Sequence, residues 1–488
     1  MEVQLTRAGR PPFATRPVLT AAGVLLVLLL ASASAYGWER DELYFRMLPP
    51  AWAYPDQPAL TPLLVHGITG LVDSPVAIRV VAALIAAAAV PLCALIPREA
   101  GGGVLAQTVA AWGCGFGAFS LVLGHSFLTG TIDLLVWPAV VLAAMRAVLR
   151  QDGRWWLLAG AVAGLGLSNK LLVTFLLVGI AVGLAVIGPR SWYRSGWLWG
   201  GVALVVGLGA PQLVYQLTNG LPQVRMGAAL GAGRGPLDLL LVVPFLVVLI
   251  SPVAVPAWIA GLLAPFRRPE LRSLRFLPIA FAVVVAISVV GGGQPYWPFG
   301  ALICVFALGC VPVETWATTL QRRGFVTAQI RWGAVVSAVI SLPVLPLPVL
   351  ALTPIPAINR AVDDQIGWPE LAAQVDRAGE THPEAVVLAA NYGEAGAVSR
   401  FSRRFGDRVV SGHNGLADLP TPVAHSTTVI AVGAQPARVR AVLTSCRVVD
   451  RVENDAGIDT AERGALIAVC AYPDGSIPAL VARARHLG

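Results

Sequence analysis

Charged residues are scarce in this chain. Only 13% of its 488 residues are Asp, Glu, Lys or Arg, whereas soluble proteins have about 25%. Hydrophobic residues make up 56% of the sequence. This composition excludes an ordinary soluble globular protein and is typical of an integral membrane protein with many spanning helices.

Lysine is nearly absent as well, because Lys170 is the only one in the chain. The formal net charge is still +8, and almost all of the positive charge is carried by arginine. The arginines lie in short connections between apolar runs, not in one basic block. We therefore expect no nucleic-acid partner and read the arginines as signals of membrane topology.

Cysteines are few and show neither a CxxC pair nor a Cys/His metal spacing. Four lie in apolar runs, where they are most simply small core residues: Cys93, Cys114, Cys304 and Cys310. Cys446 and Cys470 lie in a polar tail, beside neighbouring predicted strands. In an oxidising compartment they could form a disulfide, and two buried free thiols are the equal alternative.

Long apolar runs dominate the first three quarters of the chain. A membrane span needs about 20 apolar residues, and by that measure the sequence predicts about eleven spans. They cover residues 17–36, 75–96, 104–123, 130–149, 155–168, 171–187, 197–217, 237–263, 276–290, 299–317 and 333–352. We read 155–187 as two spans, because it is too long for one. We expect no cleaved signal peptide, since the first run lacks a convincing small-residue cleavage site.

The arginines predict the orientation of these spans. Those at positions 7–16, 98, 146–154, 190–194, 267–275 and 322–331 all fall on one side of the membrane. Up to residue 352, the other side receives only six basic residues: Arg40, Arg46, Arg79, Lys170, Arg225 and Arg234. By the positive-inside rule the amino terminus is cytoplasmic, and both the loop 37–74 and everything after residue 352 are outside.

The tail has a different pattern. Helical segments near 369–378, 394–401, 436–444 and 477–486 alternate with strands at 385–390, 408–411, 427–432, 448–452 and 465–471. Such alternation predicts a small α/β domain. The predicted fold is therefore an α-helical polytopic membrane domain (1–356) followed by an extracytoplasmic α/β domain (357–488).

The first outer loop, residues 37–74, carries an excess of carboxylates: Glu39, Asp41, Glu42 and Asp56. Two short helices, 41–48 and 59–71, are predicted to lie at the headgroup boundary, because Trp and Tyr flank them. A carboxylate near a bilayer is costly to desolvate without a partner. The acids are therefore candidates for function, and solvated acids beside the first span are the alternative.

Further polar residues recur at the predicted outer ends of spans, where ionisable groups are functional candidates. Asp133 has an alternative as a helix-packing partner, and His125 as an exposed turn residue. Lys170 could serve as a point charge for a phosphate, or it could be a remnant of compositional drift. Arg225 and Arg234 could clamp a phosphorylated headgroup, or they could be surface charges of a glycine-rich loop. Gln294 and Tyr296 precede a later span.

Several segments resemble the bacterial family 39 membrane glycosyltransferases, which are relatives of protein mannosyltransferases and of the lipid A aminoarabinose transferase. The similar segments are distributed along nearly the whole chain: 40–45 (RDELYF), 54–60 (YPDQPAL), 78–79 (IR), 131–137 (TIDLLVW), 164–170 (GLGLSNK), 215–222 (YQLTNGLP), 294–297 (QPYW), 391–396 (NYGEAG) and 411–414 (SGHN). This resemblance implies the GT-C fold.

The resemblance also implies a function. It predicts transfer of a sugar from a polyprenyl-phosphate donor to an acceptor outside the cytoplasm, which could be a glycolipid, a polysaccharide or a protein. Asp41 would be the general base, with Glu42 beside it, and the anomeric carbon would be inverted. The implied substrate-binding residues are Asp56, Arg79, His125, Asp133, Lys170, Arg225, Gln294 and Tyr296.

Two positions depart from the family pattern. Gln57 stands where the aminoarabinose transferases have lysine, and Gln294 stands where a basic residue is common. Lys170, Arg225 or Arg79 would then supply the positive charge for the donor phosphate. The acids of the first loop could bind a divalent cation or act without one.

Two other classes of function are compatible with the sequence. A transporter or flippase for a lipid-linked sugar would also carry polar residues at span ends, and a non-catalytic envelope scaffold would also carry an outer α/β domain. The composition, poor in lysine and rich in arginine, alanine and glycine, indicates a GC-rich bacterial genome. We therefore expect the protein in a bacterial plasma membrane.

Overall fold

The computed structural model describes residues 10–232, 235 and 241–488. In chain order the described helices are α1 (Thr15–Ser32), α2 (Arg40–Met47), α3 (Leu60–Leu71), α4 (Pro75–Glu99), α5 (Val104–Gly115), α6 (Ala118–His125), α7 (Asp133–Arg150), α8 (Arg154–Leu167), α9 (Val173–Val186), α10 (Gly196–Thr218), α11 (Pro222–Gly231), α12 (Val242–Ile250), α13 (Val255–Arg267), α14 (Phe276–Val290), α15 (Phe299–Trp316) and α16 (Leu320–Ser341).

The last third of the chain mixes helices and strands. Its helices are α17 (Leu347–Leu350), α18 (Ile355–Ile358), α19 (Arg360–Asp363), α20 (Trp368–Ala378), α21 (Tyr392–Phe401), α22 (Ala437–Arg440) and α23 (Ile477–Ala484). Its strands are β1 (Val386–Ala389), β2 (Val409–Ser411), β3 (Thr428–Val432), β4 (Thr444–Arg451) and β5 (Leu466–Ala471).

The chain divides into two compact units. The helical unit contains Met1–Ser32 and Arg79–Leu342, and the α/β unit contains Ala33–Ile78 and Pro343–Gly488. Helices α2 and α3, from the loop that follows α1, thus belong to the same unit as the tail. The tail is separated from them by more than 250 residues of the helical unit.

The helical unit is built to cross a membrane. Five described helices, α1, α4, α10, α15 and α16, are long and apolar enough to span one, and two bent pairs raise the number to seven. Three further apolar helices of this unit, α8, α9 and α14, are shorter, as is α3 of the α/β unit. Helices satisfy their own backbone hydrogen bonds, which is the condition for lying in lipid. The chain is a multi-pass membrane protein.

Each predicted apolar run contains helix, but three runs differ in detail from the prediction. Run 104–123 is bent by 57° between α5 and α6, and run 237–263 by 96° between α12 and α13. Ser251 stands at the second break with a φ of 117°. The run predicted at 333–352 is wrong at both ends, because α16 begins at Leu320 and ends at Ser341, just before Pro343. The division of 155–187 into two helices is confirmed.

Small residues allow the helices of this unit to pack closely. A Cβ added at Gly309 of α15 would collide with the carbonyl oxygen of Ala257 on α13, and one at Gly160 of α8 would collide with Gly201 on α10. Glycine at such crossings lets two backbones touch. This is the usual means of holding helices together where the lipid is as apolar as the side chains.

A five-stranded mixed sheet forms the core of the tail. Its order is β2-β1-β3-β5-β4. Strand β1 is parallel to β2 and β3, whereas β5 is antiparallel to β3 and β4. Strand β1 has every side chain buried, which accounts for its uninterrupted apolar sequence. The α/β character predicted for this segment is confirmed.

One tail helix was predicted too long. The helix expected at 436–444 ends at Arg440, and Thr444 already begins β4, where it pairs with Ala471 of β5. The strand expected at 448–452 therefore starts four residues earlier. Pairing with β5 decides this boundary, because β4 is mostly exposed and carries little hydrophobic pattern of its own.

The structure also settles the alternatives for the two tail cysteines. Cys446 of β4 and Cys470 of β5 form a disulfide, closing a loop with a sequence separation of 24. Cys93, Cys114, Cys304 and Cys310 are buried free thiols, as expected.

Removing the disulfide should destabilise the α/β unit. Closing a loop of this length contributes about 3 kcal/mol by restricting the unfolded chain. Cys446→Ser together with Cys470→Ser should therefore lower the melting temperature of the full-length protein in detergent. Wild-type protein treated with reductant is the matched control, and its melting temperature should equal that of the double variant. A further drop when the double variant is reduced would contradict this origin of the stability.

Candidate functional site

Helix α2 begins with a closed capping box. The Glu39 carboxylate accepts hydrogen bonds from the backbone N–H groups of Asp41 (2.7 Å) and Glu42 (3.3 Å). In return, Glu42 Oε2 accepts from the Glu39 N–H at 2.9 Å. Both glutamates are buried, whereas Asp41 is half-buried. The sequence Glu-Arg-Asp-Glu thus fixes the first turn of the helix and places Asp41 within it.

Asp41 has a partner from the tail. The hydroxyl of Tyr392 donates a hydrogen bond of 2.8 Å to Asp41 Oδ1. Tyr392 is the first residue of α21, which has its own capping box made by Asn391 and Glu394. Helices α2 and α21 pack against each other within the α/β unit.

Asp56 has a similar environment. The hydroxyl of Tyr44 donates to Asp56 Oδ1 at 2.9 Å and accepts from the Gly415 N–H at 2.9 Å. Burial raises the pKa of Asp56 to about 7. A carboxyl group with this pKa exists in both protonation states near neutral pH. It can therefore either accept or donate a hydrogen bond.

Arg40 lies among several carboxyl groups of the same unit. Its guanidinium is 3.9 Å from Asp364 and lies over the Tyr392 ring, 5.0 Å from the centroid. Burial raises the pKa of Asp363 to about 7 and that of Asp364 to about 8. These acids together carry less negative charge than their number indicates.

In the helical unit, the residues following α8 meet the start of α7. Asn169 Nδ2 donates to Asp133 Oδ1 (3.2 Å) and to the Thr129 carbonyl (2.8 Å). The Lys170 ammonium lies over the Tyr296 ring, 5.5 Å from its centroid, and its charge acts on Asp133. The structure therefore brings three predicted substrate-binding residues into one cluster: Asp133, Lys170 and Tyr296.

Two other predicted residues of the helical unit are buried. His125 is 1% exposed, and its Nδ1 lies 3.3 Å from the Ser32 hydroxyl. The alternative of an exposed turn residue is therefore wrong, because His125 is the last residue of α6 and faces α1. Arg79, near the start of α4, is also 1% exposed.

The remaining predicted residues lie in connections. Arg225 of α11 is exposed and donates to the Asn219 carbonyl at 2.7 Å. Gln294 is half-buried in the turn before α15. Arg234, the second arginine of the predicted clamp, lies outside the described residues.

Among the residues that the structure describes, no three His, Cys, Asp or Glu side chains are arranged to hold a metal ion. In the first loop, the carboxyl groups of Glu39 and Glu42 are engaged in the cap, and that of Asp56 accepts a hydrogen bond from a tyrosine hydroxyl.

Tyr392 and Tyr44 are site residues that the sequence reasoning missed. The signal for Tyr392 was present, since Asn391 and Glu394 flank a helix start with the spacing of a capping box. Its contact with Asp41, across 351 positions of sequence, had no local signal.

Comparison with known proteins agrees with this architecture. The family model described as dolichyl-phosphate-mannose-protein mannosyltransferase matches residues 56–215. The crystal structure of ArnT from Cupriavidus metallidurans bound to undecaprenyl phosphate is similar, with a TM-score of 0.61 and 15% identity, over 93% of this chain and 98% of that one. The apo form of the same protein gives 0.55 and 16%, over 96% and 99%. No curated protein sequence matches the chain.

The fold is therefore that of the GT-C membrane proteins. This fold and the family-model match over residues 56–215 confirm the resemblance to GT-C glycosyltransferases seen in the sequence.

The buried carboxyl groups should make the α/β unit less stable as the pH rises. Burial raises the pKa of Glu394 to about 8, so its contribution is complete below the ordinary carboxyl pKa and is lost as the pH rises through about 8. Asp56, Asp363 and Asp364 act in the same direction. The melting temperature of the full-length protein should therefore fall between pH 6.5 and 8 and level off above pH 8, where the folded and unfolded states are both ionised.

Glu394→Gln should flatten this fall, because glutamine keeps an acceptor for the Ala390 and Asn391 N–H groups but does not ionise. Burial lowers the pKa of His413 to about 3, so its titration affects stability only on the acid side and leaves this range undisturbed. Glu384→Gln, at an exposed acid of the same unit, is the control. Equal slopes for Glu394→Gln and wild type would contradict the assignment.

Proposed function

We propose that the protein transfers a sugar from a polyprenyl-phosphate carrier to an acceptor at the outer face of a bacterial plasma membrane. The family-model match and the similarity to ArnT bound to undecaprenyl phosphate support a lipid-linked donor. The distribution of arginines supports a cytoplasmic amino terminus and an extracytoplasmic tail. One observation carries the assignment of the site: Asp41 is held in the first turn of α2 by a capping box and by a tyrosine hydroxyl.

In this proposal Asp41 is the general base. Its carboxylate takes the proton of the acceptor hydroxyl as the acceptor oxygen bonds to the anomeric carbon. The bond between that carbon and the phosphate oxygen breaks, and the electron pair leaves with the polyprenyl phosphate. Attack from the face opposite the phosphate inverts the anomeric carbon, so the sugar forms no covalent bond to the enzyme.

The two glutamates that flank Asp41 in sequence serve the geometry of the base. Glu42, first considered as a catalytic neighbour, directs its carboxylate to the Glu39 N–H and so closes the cap. We assign it to positioning of Asp41. Asp56, whose pKa is about 7, is suited to binding a hydroxyl group of the acceptor.

The departing phosphate needs positive charge. Lys170 is the candidate, because its ammonium lies over the Tyr296 ring and its charge acts on the Asp133 carboxyl in the helical unit. A preorganised cation of this kind stabilises the charge that develops on a leaving phosphate. Arg79 and Arg225 are further candidates, with His125 and Gln294 assigned to binding the donor.

Asp41→Asn should reduce sugar transfer by about 100-fold or more, the usual contribution of a general base. In a deletion strain we expect polyprenyl-phosphate sugar to accumulate and one glycosylated envelope component to disappear. Wild type should restore both pools and Asp41→Asn should not, as measured by mass spectrometry of extracted lipids and envelope glycans.

Glu384→Gln is the matched control and should behave as wild type. Restoration of both pools by Asp41→Asn would remove Asp41 as the base. A deletion strain that keeps every glycosylated component would contradict transferase activity. Accumulated donor confined to the inner leaflet, with unchanged activity on donor supplied from outside, would favour the flippase alternative.

Lys170→Met should weaken the binding of undecaprenyl phosphate by about tenfold, because a partly desolvated charge-assisted contact to phosphate contributes about 1.5–3 kcal/mol. Lys170→Arg retains the charge and should lose less. Binding of undecaprenyl phosphate to purified protein in detergent is the measurement. Unchanged affinity of Lys170→Met would exclude Lys170 from the phosphate site.

A further inference from the structure

The hydrogen bond between Tyr392 and Asp41 joins the tail to the proposed base. Its length is 2.8 Å, and the hydroxyl is the donor because the carboxylate can only accept. Burial and the nearby Asp41 charge raise the pKa of Tyr392 well above its ordinary value. The phenol therefore remains protonated, and able to donate, throughout the physiological range.

Tyr392 is itself held from several directions. Its backbone N–H donates to His413 Nδ1 at 3.3 Å. Its ring packs on the rings of Tyr44 and His413, at centroid distances of 4.7 and 4.9 Å, and under the Arg40 guanidinium. The capping box of α21 fixes the backbone at the same point. A side chain with so many contacts presents its hydroxyl in one direction.

We propose that Tyr392 is a positioning residue for sugar transfer: its hydroxyl orients the Asp41 carboxylate toward the acceptor hydroxyl and stabilises the ionised form that acts as base. This inference rests on the proposed function of Asp41. It assigns the tail a direct part in the reaction, because the hydroxyl that orients the base comes from α21.

Other charged and titratable groups also act on the ionisation of Asp41. The groups that act on this pair come from α2 and its cap, from the loop around Asp56 and from the tail: Glu39, Arg40, Glu42, Tyr44, Asp56, Asp364 and His413. Most are acids that oppose ionisation of Asp41, whereas Arg40 favours it. A donated hydrogen bond is a specific contribution among these, because it acts on one oxygen and also fixes the direction of the carboxylate.

Tyr392→Phe should therefore lower the rate of transfer by about tenfold and move the acid limb of the pH–rate profile upward by about 0.5–1 pH unit. The rate is measured as polyprenyl phosphate released when purified variants are added to membranes of the deletion strain, which supply the accumulated donor and the unmodified acceptor. A loss of rigidity alone would lower the rate without moving the acid limb.

Tyr472→Phe is the matched control. This buried tyrosine of the same unit donates to the Ser476 carbonyl at 3.2 Å, so its variant also loses one hydroxyl and one hydrogen bond. It should leave both the rate and the acid limb unchanged. Site-specific replacement of Tyr392 by a fluorinated tyrosine keeps the ring contacts and strengthens the donor. It should move the acid limb in the opposite direction, even if Tyr392→Phe folds poorly.

The outcomes separate the inference from the function on which it rests. Full activity of Asp41→Asn would overturn the base, and the inference with it. Inactivity of Asp41→Asn combined with a normal rate and a normal acid limb for Tyr392→Phe would overturn the inference alone. On the residual activity of Asp41→Asn, adding Tyr392→Phe should cost nothing further, since the group through which Tyr392 acts is gone. An independent second loss would show that Tyr392 acts by another route.

Discussion

A lipid bilayer offers no hydrogen-bond partner to a protein backbone, and this constraint underlies the architecture of the chain. Five described helices are long and apolar enough to span a membrane, and two bent helix pairs raise the number to seven. Because charge is so scarce within the spans, the few ionisable groups beside them stand out as candidates for chemistry.

The α/β unit differs from the spans because it contains many carboxyl groups close together. Its carboxyl groups surround Arg40, and burial raises the pKa of several of them, so the cluster does not carry its full formal charge. Two tyrosine hydroxyls then donate to the half-buried acids, Tyr392 to Asp41 and Tyr44 to Asp56. The rings of these two tyrosines are in contact, so the two hydrogen-bonded pairs lie side by side. An arrangement of this kind preserves distinct orientations for acids that would otherwise repel one another.

Local patterns predicted much of this structure. The apolar runs located the helices of the helical unit, and short β-type runs located the strands of the tail. The errors lie where a local pattern is weak. Helix α16 begins earlier than predicted, in a segment rich in arginine. Strand β4 is defined by its pairing with β5, because its own residues are mostly exposed. The disulfide, left undecided by the sequence, follows from the adjacency of those two strands.

Composition and periodicity by themselves determined that this is a multi-pass helical membrane protein with an α/β tail, since hydrophobic burial and backbone hydrogen bonding act over short stretches of chain. The resemblance of the segment 40–45 to a known family also singled out Asp41. Only the tertiary structure decided that Asp41 meets Tyr392 and that Lys170 meets Tyr296 and Asp133. Contacts across tens to hundreds of residues depend on how whole elements pack, and no local pattern specifies that packing.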